Sequence, residues 1–116
     1  QAFDITAPAG RYVLRVPAGH GSVAEGRVGG RSAGHRVSRP WEVDVTDRLQ
    51  AGRNLIQVRV VGTLKNTLGP HHGKPVLGKA WPWDFRQAPL SGPPAGGNYH
   101  TVGYGLFEPP VVEQRR

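Results

Sequence analysis

Cysteine is absent from the 116 residues, which excludes disulfides, a thiolate nucleophile and any zinc or iron–sulfur centre built on thiolates. Methionine is absent as well, position 1 included, so the expectation is a domain excised or processed from a larger enzyme and acting beside another part of it. No run approaches the ~20 apolar residues that a membrane-spanning helix requires, and no membrane partner is expected. Long helices are equally hard to place, because 17 glycines and 11 prolines interrupt the chain. A chain of this length suits one hydrophobic core, so residues 1–116 are expected to form a single domain.

Fifteen Lys and Arg against eight Asp and Glu leave a formal charge of +7, a field that attracts nucleic acid or an acidic polymer. The arginines nevertheless recur singly from Arg11 to Arg59, and the one adjacent basic pair is Arg115 with Arg116. Dispersed charge of this kind covers a surface and argues against a dedicated nucleic-acid grip.

Where apolar residues cluster, they alternate. In RYVLRVP, Tyr12, Leu14 and Val16 face one side and Val13 and Arg15 the other; in WEVDVT, Trp41, Val43 and Val45 point inward; in NLIQVRVV, Ile56, Val58 and Val60 do. A period of two is the signature of a half-buried strand. SVAEGRVGGRSAG reads as a hairpin turning at Gly29 and Gly30. Between two strands, TDRLQAGRN predicts one helical turn capped by Thr46 or Asp47, a left-handed Gly52 to end it, and Leu49 as a plug. HTVGYGLFEPPVVE adds one or two strands, with Pro109 and Pro110 forcing a bend or an edge position. Short strands without a long helix predict an all-β fold, an antiparallel β-sandwich or barrel. Residues 63–98 carry no alternating run, and their aromatics predict a long ordered loop; loops beyond ~12 to 15 residues are commonly functional.

The run from Val23 to Asn66 contains Val28-Gly29-Gly30, Ala33-Gly34, Pro40-Trp41, Asp44-Val45-Thr46, Leu49, Gly52-Arg53-Asn54 and an apolar strand over 56–60. In that order these elements resemble the galactose-binding-like jelly-roll domains appended to bacterial glycoside hydrolases, notably family 2 sugar-binding domains and rhamnosidase-like C-terminal domains. Gly29 stands where those domains usually carry Asn. The resemblance implies a jelly roll of the galactose-binding-domain-like type, a secreted or periplasmic setting, and the catalytic domain of a parent enzyme as neighbour. A structural calcium held by carbonyls and an Asp would suit the family, and no other cofactor is required. The chain is short for the full sandwich, so an N-terminal strand is expected to be missing or supplied from elsewhere.

Catalysis finds little support in the sequence. Its carboxylates, Asp4, Glu25, Glu42, Asp44, Asp47, Asp84, Glu108 and Glu113, fall mostly on polar strand faces or turns, not as a positioned acid and base. Neither a nucleophile elbow nor a phosphate-binding loop is present, and the domain is expected to be non-catalytic. His71 and His72 are adjacent, so on extended backbone they point to opposite faces and would not chelate one metal ion. Sugar binding suits the residues better: Trp81, Trp83, Phe85 and Tyr99 offer flat π surfaces for the C–H faces of a poly- or oligosaccharide, with Tyr104 as a further candidate. Trp81 and Trp83 fall on one side if the tripeptide through Pro82 is extended. His72, Lys74, Arg86 and Asn98 could hydrogen-bond hydroxyls or, through the basic members, a uronate. The competing reading is that these rings fold the loop onto the sandwich. Lys65 and Asn66 are read as turn hydrogen-bonding residues.

Overall fold

The computed structural model describes residues 2–6, 9–73, 79–86, 90–92 and 99–115, and it divides into two compact units, 1–62 with 104–116 and 63–103. The first unit is all-β. Its strands are β1 (Ala2–Ile5), β2 (Arg11–Val16), β3 (Gly19–His20), β4 (Val23–Val28), β5 (Arg31–Arg36), β6 (Trp41–Asp44), β7 (Gly52–Val61), β8 (Gly105–Leu106) and β9 (Val111–Arg115). They form a four-stranded sheet ordered β1-β7-β4-β5, a three-stranded sheet ordered β6-β2-β9 and the short pair β3-β8, with every pairing antiparallel.

The two larger sheets enclose two clusters of buried side chains, the smaller made of Val16, Ala24 and Trp41 and the larger drawn from both sheets. Ile5, Val28 and Ile56 come from the first sheet, Leu14 and Val43 from the second, and Val45 and Leu49 from the connection between β6 and β7. A Cβ on Gly26 of β4 would meet the Leu14 side chain at 2.8 Å, and one on Gly34 of β5 would meet Val43 at 3.3 Å. Thus β4 lies over β2 and β5 over β6, which makes the unit an antiparallel β-sandwich.

The short motifs prove to be devices of local geometry. Gly29 and Gly30 take positive φ of 54° and 80°, the left-handed pair that a tight two-residue hairpin turn demands. Across β4 and β5, Gly26 pairs with Gly34 but Arg27 with Ser32, so Ala33 is the extra residue of a β-bulge. Asn54 is buried and its amide accepts from Gln50 N–H and donates to the carbonyls of Gln50 and Gly52. That side chain holds the turn into β7 without help from a longer helix.

Three local expectations need correction. Val13 is buried although its outward-pointing side should be wet, because it floors a groove flanked by Arg11, Glu42, Asp44 and Arg115. The helical turn exists as a 3-10 turn over Thr46–Arg48, but it begins after Val45 and has no side-chain cap. Thr46 is occupied elsewhere: its Oγ1 accepts from Tyr12 N–H at 2.8 Å and donates to Asp44 Oδ1 at 2.7 Å. Gly52 is left-handed with φ 91°, yet it opens β7 instead of ending the turn.

Among its described residues the second unit has two one-turn helices, α1 (Lys65–Leu68) and α2 (Pro82–Phe85). Two side chains of α1 tie it to the strand of chain at 100–102. Lys65 donates from Nζ to the carbonyls of Pro70 and His100. Asn66 both donates to the Val102 carbonyl and accepts from its N–H, at 2.7 and 2.9 Å. Apart from the Lys65 bond to Pro70, these are ties to residues far along the chain, not the local turn hydrogen bonds expected from the sequence.

Candidate functional site

Proline at the first position of α2 fixes the start of the turn, and Asp84 Oδ2 accepts the Trp81 N–H at 2.9 Å to close it. The segment through Pro82 is therefore coiled, not extended. Coiling brings the two indoles onto each other: their ring centroids are 5.1 Å apart and their planes 3° from parallel. Trp81 is 52% and Trp83 57% exposed. Each ring gives one face to its neighbour, and the pair remains open to solvent at its edges. Phe85 is 49% exposed, and Arg86 follows at the end of the turn with its side chain in solvent.

Tyr99 belongs to a different group. Its ring meets His71 at 5.1 Å and His72 at 5.2 Å, both tilted. The adjacent imidazoles were expected on opposite faces, but the chain bends through His72 and Gly73, the latter at φ 76°, and both rings reach the same tyrosine. The Nδ1 atoms of His71 and His100 are buried and lack a hydrogen-bond partner. Among the described residues no three His, Asp or Glu side chains gather where they could hold a metal ion, and no ring contact links the indole pair to the tyrosine group. Lys74 and Asn98 lie outside the described residues.

In the first unit the outer face of the three-stranded sheet carries interleaved charge. Arg11 pairs with Asp44 at 2.8 Å, Arg15 with Glu113 at 2.6 Å, and Arg115 with Glu42 at 2.7 Å and Glu113 at 3.4 Å. Hydrogen bonds from the Thr46 hydroxyl and then Arg11 hold the Asp44 carboxyl down to about 2, against an ordinary 3.8. Arg115 lowers Glu42 and is itself raised by it.

A second concavity was not legible in the sequence. A groove of about 730 Å³ opens between β1 and β9, lined by Phe3, Asp4, Ile5 and Thr6 on one side and by 109–112 with Gln114 on the other, over Tyr12 and Ile56. Its walls lie about a hundred residues apart in the chain, and only sheet order brings them together. The residues that carry the sequence resemblance line the core and the turns; the indole pair is not among them, and of the groove's lining they supply Ile56 alone. Comparison with protein-family models, curated proteins and solved structures returns no match, so function is argued from this chain's own residues.

Proposed function

We propose that the chain is a non-catalytic carbohydrate-binding module that holds a polysaccharide-degrading enzyme on plant or algal glycan, with acidic glycans such as pectin favoured by its positive field. The observation behind this reading is the stacked indole pair, left more than half exposed on a turn. Burying an indole stabilises a fold strongly, so two large apolar rings left wet side by side point to a surface that a ligand covers. The outer faces of the pair suit the C–H face of a sugar ring, the indole N–H groups suit hydroxyls, and Arg86 suits a uronate carboxylate. Tethering would raise the catalytic domain's concentration at its substrate without any chemistry here.

One feature favours a second reading, a structural accessory domain with no ligand of its own. Face-to-face stacking already covers one side of each indole, and the rings can satisfy each other in part. Affinity electrophoresis through gels of soluble pectin, xylan, β-glucan and alginate separates the two. Retardation in at least one gel, weakened by Trp81→Ala and by Trp83→Ala, is expected; unchanged mobility across the panel sinks the binding reading and leaves the accessory one.

A further inference from the structure

Charge on the outer face of the three-stranded sheet is balanced. Arg11, Arg15 and Arg115 meet Asp44, Glu42 and Glu113, and every one of these side chains takes part in an ion pair. The groove floored by Val13 has a further wall, to which the end of β5 and the turn after it bring Arg36, Ser38 and Arg39. These two arginines upset the balance. Neither pairs with a carboxylate among the described residues; Arg36 donates to the His35 carbonyl, and Arg39 to those of Pro17 and Gly19. Nor are the two acids of the groove short of partners. Arg115 first, then Arg15 and Arg11, lower Glu42, and the Thr46 hydroxyl and Arg11 lower Asp44. Four arginines therefore line the groove against two carboxylates, a surplus of two positive charges.

We propose that this groove binds a dianionic phosphate group, for which Arg36 and Arg39 supply the counter-charge. A guanidinium fork matches the oxygens of phosphate two at a time, and a phosphate monoester carries close to two negative charges above its second ionisation, near pH ~6. A carboxylate or a sulfate ester brings one charge and leaves half of the surplus uncovered. Nucleic-acid phosphates also carry one charge each and call for a longer basic track than one groove offers. Arg39 is held before any ligand arrives, its guanidinium 5.0 Å over the Trp41 ring, so little side-chain freedom is lost on binding. Val13 and Pro40 add apolar surface beside the charges, which strengthens their field. The volume, about 340 Å³, falls at the small end of ligand sites, ~300–1,000 Å³, and leaves room for a small group esterified to the phosphate. No residue of 63–103 enters this inference, so it stands or falls apart from the glycan reading.

Arginine Nε–H signals in proton–nitrogen correlation spectra read the binding directly. At about pH 7.5, where a phosphate monoester is nearly dianionic, inorganic phosphate and glucose 6-phosphate should shift the Arg36 and Arg39 signals saturably. The tighter of these two probes tells free from esterified phosphate as the source. Arg36→Gln, which spares the Arg39 contact with Trp41, should weaken binding about tenfold, the loss expected for a charged hydrogen bond. Arg53→Gln removes the same charge from β7, outside the groove, and should leave affinity within about twofold of wild type in ~0.15 M salt. Glucose 6-sulfate, a monoanion of similar shape, should bind at least about fivefold more weakly. No saturable shift, an equal loss in the two variants, equal binding of the sulfate ester, or tighter binding of digalacturonate would each overturn the proposal; the last would make the groove an acidic-glycan contact instead.

Discussion

Trp81 and Trp83 lie face to face, 3° from parallel, on a single turn closed by the carboxylate of Asp84. Trp41, the only other tryptophan, is buried at 4% exposure, with the Arg39 guanidinium 5.0 Å above its ring. The protein therefore carries two wet indoles and one dry one.

That contrast is measurable without any ligand. Acrylamide should quench most of the wild-type emission, and the double variant Trp81→Ala/Trp83→Ala should leave a blue-shifted, weakly quenched emitter. Trp41→Ala should instead cost about 3–5 kcal/mol of stability, the range for truncating a buried aromatic. A double variant that remains as quenchable as the wild type would show the indole pair to be shielded.

Asp44 gives stability a pH dependence with a defined sign. Its folded value, about 2, lies below the ordinary 3.8, so the unfolded chain takes up the proton first as the pH falls. Its stabilising contribution is complete above about pH 4 and lost as pH falls through 2. In urea titrations from pH 2 to 6, Asp44→Asn should be less stable than wild type at the upper end and should converge with it at the lower. Parallel curves across the range would contradict the assignment.

Asn54 satisfies three backbone groups from a buried position. Replacing it by leucine strands the Gln50 N–H and carbonyl, at a cost of about 1–3 kcal/mol. Aspartate keeps the acceptor for Gln50 N–H but loses both donors, and should also destabilise. Equilibrium denaturation reads both; a neutral Asn54→Leu would mean that water replaces the amide.

In the second unit, Asn66→Ala removes both bonds to Val102. The Val102 amide should exchange faster, by about tenfold if the lost bond contributes near 1.4 kcal/mol, while β2 and β7 amides keep their rates. An unchanged Val102 rate would place its protection elsewhere.

Alternation in the sequence determined the strands at RYVLRV, WEVD and the long β7, because a period of two leaves one face dry whichever partner covers it. Glycine chemistry likewise determined the turn at Gly29 and Gly30, where only a left-handed backbone closes the hairpin. The fold class followed from these local rules. Tertiary structure decided most of the rest. Val13 is dry because charged side chains from three strands enclose it, a fact its own neighbours in sequence do not contain. A bend at His72 and Gly73 turned two neighbouring histidines onto one distant tyrosine. The coil that sets the indoles against each other is local by contrast, begun by Pro82 and closed by Asp84, and reading the tripeptide as extended missed it. The groove between β1 and β9 depends on sheet order and on four strands facing three. Local patterns record which side of a strand is apolar; which strand, if any, lies opposite is a long-range pairing that no window of the chain encodes.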